Sequence, residues 1–203
     1  MNNRLMAYNL GRRWKKLRRA IARRPDYRGQ LLERLPRCAI GAEIGVWQGE
    51  FTARILAISK PRELHLIDPW LYQPEFSDHG YGGVVAKRQE DMDEIHASVA
   101  NGVGTVAGVM IHRMKSAEAL ERFADGYFDW LYVDGNHEYE YVCADLECAR
   151  RKVRTGGFVT GDDYNWGKAK GFPVRRALRE FAAKHGLGER VEIIGSQFLL
   201  QLP

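Results

Sequence analysis

Two apolar segments that each run into acids, Phe128–Asp134 (FDWLYVD) and Gly157–Asp163 (GFVTGDD), constrain the fold of this chain more than any other feature. Between them lies one helix-length stretch, His137–Arg154, closed by Thr155-Gly156-Gly157. A segment that is apolar throughout reads as a strand covered on both faces, as in a parallel sheet between layers of helices. Ligands of such sheets gather just past the carboxyl ends of the strands. Asp134, Asp162 and Asp163 are therefore delivered to the edge where such folds do chemistry, and His137 stands on the same rim. Neighbouring strands lie about 4.8 Å apart, so two adjacent tips could share one cation.

The rest of the chain repeats the alternation. Strands are expected at Ala39–Val46, Leu64–Asp68 and Val106–Arg113, and helices at Glu50–Ile58, Ala117–Phe123 and Val174–His185, while Pro69–Asn101 reads as a long connection, rich in aromatics at first and amphipathic over Val84–Ala100. In His137–Arg154, the residues Tyr139, Val142, Leu146, Ala149 and Val153 form one helical stripe. Val191–Ile194 and Phe198–Leu202 read as a closing antiparallel pair. The expected class is α/β: a Rossmann-like, doubly wound, mostly parallel sheet with an antiparallel C-terminal edge.

A chain of 203 residues suffices for one such domain, assigned to residues 36–203, behind a short arm at residues 1–35. The three cysteines, Cys38, Cys143 and Cys148, have no Cys-x-x-Cys spacing. They point to a reducing, cytoplasmic setting and away from disulfides or a zinc cage. No apolar run approaches the roughly 20 residues that span a bilayer. The net charge of +5 is local: residues 1–28 hold ten Lys/Arg against the single acid Asp26, while the remainder is net acidic. With Leu10, Trp14, Leu17 and Ile21 on one side, the arm reads as a basic amphipathic helix. It is expected to pack on the body or on a second subunit in a homo-oligomer. An anionic membrane surface, giving a peripheral location, is the sharper alternative; nucleic acid ranks below both. An organellar transit peptide has a similar composition.

Glu43-Ile44-Gly45-Val46-Trp47-Gln48-Gly49 puts two glycines four apart at the end of the first expected strand. Glycine there lets the backbone turn sharply and approach a ligand. The dinucleotide pattern Gly-x-Gly-x-x-Gly has a third glycine, and a helix N-terminus that receives a pyrophosphate; that glycine is missing here. Asp68, at the end of the second strand, is placed to accept hydrogen bonds from ribose hydroxyls. A nucleoside without phosphates fits this set better than a nicotinamide dinucleotide.

Ala42–Gly49, Ile67–Trp70 (IDPW), Asp129–Tyr139 (DWLYVDGNHEY), Arg154–Tyr164 (RTGGFVTGDDY) and Gly171–Phe181 (GFPVRRALREF) resemble the class I S-adenosylmethionine-dependent methyltransferases. Within them the sequence is most similar to the metal-dependent O-methyltransferase branch that includes macrocin-type sugar enzymes. The resemblance covers about residues 38–202. It implies that Glu43, Gly45 and Gly49 shape the pocket for the methionine end, that Asp68 binds the ribose, and that Ser116 and Ala117 line the adenine. It further implies that Asp134, Asp162 and Asp163 hold a divalent cation, Mg²⁺ by choice of oxygen ligands, with His137 as general base. Lys115, before that serine, departs from the family pattern, which has an acid or small polar residue there. The implied reaction is methylation of a hydroxyl on a small molecule or glycan. Three rivals remain: a nicotinamide-dependent oxidoreductase, opposed by the missing glycine; a non-catalytic binding module that recruits partners through the basic helix and keeps the metal site for structure; and a nucleic-acid methyltransferase. The latter's Asn/Asp-Pro-Pro-Tyr/Phe signature is replaced here by Asp134-Gly135-Asn136-His137.

Overall fold

The computed structural model describes residues 25–75 and 86–203. The Leu10–Ile21 stripe of the arm, and residues 76–83 of the aromatic connection after Pro69, lie outside the described residues. The elements run α1 (Tyr27–Leu32), β1 (Ile40–Ile44), α2 (Glu50–Ile58), β2 (Glu63–Ile67), α3 (Gln89–Asn101), β3 (Val109–His112), α4 (Ser116–Leu120), β4 (Phe128–Val133), α5 (Tyr139–Lys152), β5 (Val153–Gly161), α6 (Pro173–Lys184), β6 (Val191–Ile194) and β7 (Gln197–Gln201). The sheet order is β3-β2-β1-β4-β5-β7-β6. β1 to β5 are parallel, and β7 lies antiparallel between β5 and β6. This is the expected mostly parallel, doubly wound sheet with an antiparallel C-terminal edge.

Burial follows from the sequence. In β4, Trp130 and Tyr132 enter the apolar layer under α1, α2 and α3, whereas Phe128, Leu131 and Val133 enter the layer under α4, α5 and α6. Successive residues of a strand face opposite ways, so a strand with helices on both sides is apolar on both faces; the irregularity between Phe128 and Trp130 interrupts the alternation, and Asp129 there accepts the Ile40 N–H at 2.6 Å and Nε of Arg154 at 2.7 Å. The stripe on α5 buries Val142, Leu146 and Ala149. Pro173, at the first turn of α6, gives up no helical hydrogen bond.

Three expectations shift. The connection Pro69–Asn101 ends in a regular helix, α3, at Gln89–Asn101. Strand β3 begins at Val109 rather than Val106, because Gly108 turns the chain at φ +84° against the Arg62 carbonyl. Thr155-Gly156-Gly157 does not separate α5 from its strand. β5 starts directly at Val153, and these residues form an irregularity in it, since the pairing steps from Phe128↔Val153 to Trp130↔Phe158.

The winding reverses between β1, whose crossover leads to β2, and β4, whose crossover leads to β5. Crevices form at such switch points, and this one lies between Glu43 and Asp134. α1 is short but firmly tied. Asp26 caps it through the Gly29 N–H at 3.1 Å and pairs with Arg54 of α2 at 2.5 Å. Leu31 and Leu32 are fully buried in the layer it shares with α2 and α3.

Candidate active site

A cavity of about 530 Å³ opens at the switch point. Its floor is the turn after β1. Gly45 has φ +86°, and a Cβ there would meet the Asp134 carbonyl at 2.1 Å, so only glycine lets β1 and β4 end side by side. Glu43, Gly45, Asp68, Ser116, Ala117, Asp134 and His137 all line the cavity. Gly49 does not; it caps α2 in the left-handed conformation, facing Val99 and Val103.

Glu43 is almost fully buried and accepts a hydrogen bond from the Thr52 hydroxyl at 2.5 Å. Burial pushes its pKa up to about 8, more than the Thr52 bond pulls it down. Asp68 does more than its position promised. One carboxylate oxygen accepts the N–H groups of Val46 (2.9 Å) and Trp47 (3.0 Å), and the other accepts that of Trp70 (2.7 Å). Trp47 and Trp70 both have positive φ, a conformation that costs a bulky residue about 1–3 kcal/mol. Asp68 pins both loops, so its binding of a ribose would come on top of a structural task.

At the tips of β4 and β5, Asp134, His137 and Asp163 converge. His137 Nε2 lies 3.3 Å from Asp134 Oδ1 and 3.3 Å from Asp163 Oδ2, and one ligand atom from each residue falls within 4.8 Å of the others. Burial raises Asp134 to about 6 against the opposing pull of His137 and Arg28. Burial alone would lower His137, but the flanking carboxylates outweigh it and the net shift is upward. Asp163 is raised, mainly by burial.

Asp162 is not brought into this cluster. Its Oδ1 accepts the Asp163 N–H (2.7 Å), the Ser196 hydroxyl (2.8 Å) and the Gln197 amide. Its Oδ2 accepts Nε of Arg28 at 2.6 Å and also Nη2. That Arg28 Nη2 reaches Asp134 Oδ2 at 3.2 Å, and the guanidinium lies over the Phe51 ring. A polar relay thus runs from Tyr132 through Gln197 and Asp162 to Arg28 and Asp134.

The donor set can be tested against the cation that the resemblance implies. Adjacent ligands of an octahedral ion at 2.1 Å stand about 3 Å apart, close to the 3.3 Å spacing at His137. Asp134, His137 and Asp163 therefore fit a divalent ion. A set of three carboxylates does not, because Asp162 already carries five donors. Including an imidazole nitrogen shifts preference from Mg²⁺ towards Mn²⁺ and later metals.

The methyltransferase-domain family matches residues 42–164. The chain belongs to that family. It is an S-adenosylmethionine-dependent methyltransferase. Solved structures of similar fold include a cofactor-bound protein, Rv0187 from MTB, at 19% identity and TM-score 0.58, covering 88% of this chain and 80% of that one. The O-methyltransferase NovP is 20% identical at TM-score 0.56, over 87% of this chain and 79% of its own. The N-methyltransferase NodS from Bradyrhizobium japonicum WM9 is 13% identical at TM-score 0.54, over 87% and 94%. No curated protein matches the chain. One neighbour is named for oxygen and another for nitrogen, so likeness of fold leaves the acceptor atom open.

Two residues of the methyltransferase site escaped the sequence reading. Arg28 is one of ten basic residues in residues 1–28, and no local pattern separates it from the others. Asp145, on the helix between the two acid-tipped strands, is buried on the cavity wall and accepts the Ser116 hydroxyl at 2.5 Å. Its signal was available: it lies three residues after Val142 and four before Ala149, on the apolar stripe of α5. Among the described residues, no helix is long and apolar enough to cross a membrane.

Proposed function

We propose that this methyltransferase methylates a hydroxyl oxygen of a small molecule or glycan, with a sugar as the favoured acceptor, assisted by a divalent ion. The observation that carries the reading is the convergence of Asp134, His137 and Asp163 at the mouth of the cavity. A sulfonium methyl is already activated and needs only an aligned nucleophile; an alcohol is a poor one at neutral pH. A positioned base that takes the hydroxyl proton is worth about 10²–10⁴-fold, and alignment can be worth about 7–11 kcal/mol.

In this reading Glu43 and Gly45 seat the methionine end, and the loops pinned by Asp68 frame the ribose. Asp134 and Asp163 hold His137 through its Nε2–H, so a proton taken from the acceptor when no ion is bound goes to the opposite ring nitrogen, Nδ1. The same three residues would hold the divalent ion, which when bound lowers the pKa of a hydroxyl placed beside it. His137 would then serve as a ligand rather than a base. The Trp166 ring, 5.4 Å from His137 between centroids, offers the apolar face that sugar rings and phenols share.

The test is methylation of a panel of sugars, phenols and amines with S-adenosylmethionine, read by mass and by the bond formed, with and without chelator. The expected product is a methyl ether, its formation lowered at least 100-fold by His137→Ala and restored after chelation by Mn²⁺ more than by Mg²⁺. Methylation of amines alone, unaffected by chelator, would overturn the reading.

A further inference from the structure

The polar relay under the tips of β4, β5 and β7 closes on itself, and the methyl-transfer reading gives it no task. Tyr132 and Asp134 stand two positions apart at the end of β4. From Tyr132 the relay passes through Gln197 of β7 and Asp162 beyond β5 to Arg28 of α1, and it returns to the first strand at Asp134. Tyr132 is wholly buried and Gln197 is 1% exposed. Buried polar groups are costly when unpaired, and here each finds a partner, which makes such a network rigid.

The direction of each bond is forced. Asp162 takes donors on both oxygens: the Asp163 N–H, the Ser196 hydroxyl and the Gln197 amide on Oδ1, and Arg28 on Oδ2. The amide nitrogen of Gln197 must therefore face Asp162. Its oxygen then faces Tyr132, whose hydroxyl donates to it. Without that phenol the amide is free to turn over and present its oxygen to the carboxylate. Arg28 receives the result, with Nε on Asp162 at 2.6 Å and Nη2 on Asp134 at 3.2 Å. Its side chain reaches solvent, so the guanidinium stays on Asp134 only while an oriented carboxylate holds its fork. There its positive charge stands against any cation shared by Asp134, His137 and Asp163.

We propose that Gln197 is a positioning residue of the methyltransferase site: with its amide oxygen held by Tyr132, it orients Asp162, which fixes Arg28 on Asp134 and so weakens the hold of the Asp134–His137–Asp163 cluster on a divalent ion. The effect on the ion rests on the divalent-ion reading above; the placing of Arg28 does not.

The experiment uses the full chain, Gln197→Met, which keeps the length of the side chain without its amide, and Tyr132→Phe, which keeps the ring packed 4.4 Å from that of Phe51. Mn²⁺ alone is titrated and followed by electron paramagnetic resonance, and the Arg28 Nε–H signal is followed by nitrogen-edited NMR. Either variant should tighten Mn²⁺ roughly three- to tenfold, the scale of one hydrogen bond, and add nothing in the Arg28→Ala background. The Nε–H signal, sheltered in the natural protein, should be lost in both. A merely structural role predicts the opposite sign, because a loosened site binds the ion more weakly, whatever stands at position 28. Unchanged or weaker Mn²⁺ binding in the variants, or an equal further change without Arg28, overturns the proposal. If the natural protein binds no Mn²⁺, the divalent-ion reading falls by itself. The NMR signal then decides the role of Gln197: loss in the variants supports it, and retention overturns it.

Discussion

Replacing Arg28 by alanine tests whether the first helix is part of the active site or merely its neighbour. The side chain is 38% exposed, whereas that of Asp162, its main partner, is 7% exposed. Breaking a buried ion pair by removing one partner costs about 3–5 kcal/mol. Solvent reaches the guanidinium here and screens part of that, and Asp162 keeps the three donors on Oδ1. The expected loss is thus about 2 kcal/mol, or roughly 4–8 °C in melting temperature for a chain of this length. The second consequence concerns charge. Without Arg28 the tips of β4 and β5 carry three carboxylates and no fixed cation from α1. Mn²⁺ binding, followed by electron paramagnetic resonance, should then tighten at least tenfold. Arg28→Lys keeps the charge but not the fork that spans Asp134 and Asp162, and recovers less than half of the stability. A stability change below about 0.5 kcal/mol together with unchanged Mn²⁺ affinity would refute the argument and reduce Arg28 to a surface residue.

Glu43 couples ligand binding to protons. Its folded pKa of about 8 exceeds its ordinary 4.5, so the folded chain holds more protons than the unfolded one between those values. Stability attributable to Glu43 therefore falls as pH rises through that window. A cationic ligand end beside it favours the ionised form, so binding at pH 7 should release roughly one proton. Calorimetry in buffers of different ionisation enthalpy reads this; equal release by Glu43→Gln would contradict it. A second pH effect has the opposite sign. His65 and His112 share a 2.8 Å contact and are held below their ordinary 6.5, chiefly by burial. The unfolded chain protonates first, so this part of the stability is complete above pH 6.5 and is lost as pH falls through their folded values. Urea midpoints in the Glu43→Gln background, where the opposing slope is gone, should drop between pH 6.5 and 5, and less steeply with His112→Gln.

The sheet was legible because burial on both faces leaves a direct trace: β4 and β5 had to be apolar at successive positions, and their acids had to emerge at the carboxyl edge. Asp162 shows where that logic stops. Adjacent residues leaving a strand face opposite sides, so Asp162 and Asp163 could not both be assumed to meet Asp134. Asp163, at φ +59°, turns towards His137, while Asp162 meets Arg28, Ser196 and Gln197. None of those three partners is close in sequence, and a pairing across 134 residues has no local pattern to betray it. Asp68 is similar: an acid at a strand end announces a site, but its bonds to Val46, Trp47 and Trp70 depend on how two loops fold over each other. Asp145 differs, since a charge on an apolar stripe is a readable anomaly.

The central claim is that the cavity between Glu43 and Ser116 takes an S-adenosyl nucleoside. Calorimetric titration of S-adenosylhomocysteine into ligand-free protein, in excess Mg²⁺ and with NADH as the comparison, tests it directly. Saturable binding at one site per chain is expected for S-adenosylhomocysteine, and none for NADH. Binding of NADH alone, or of neither by a folded sample, would contradict it.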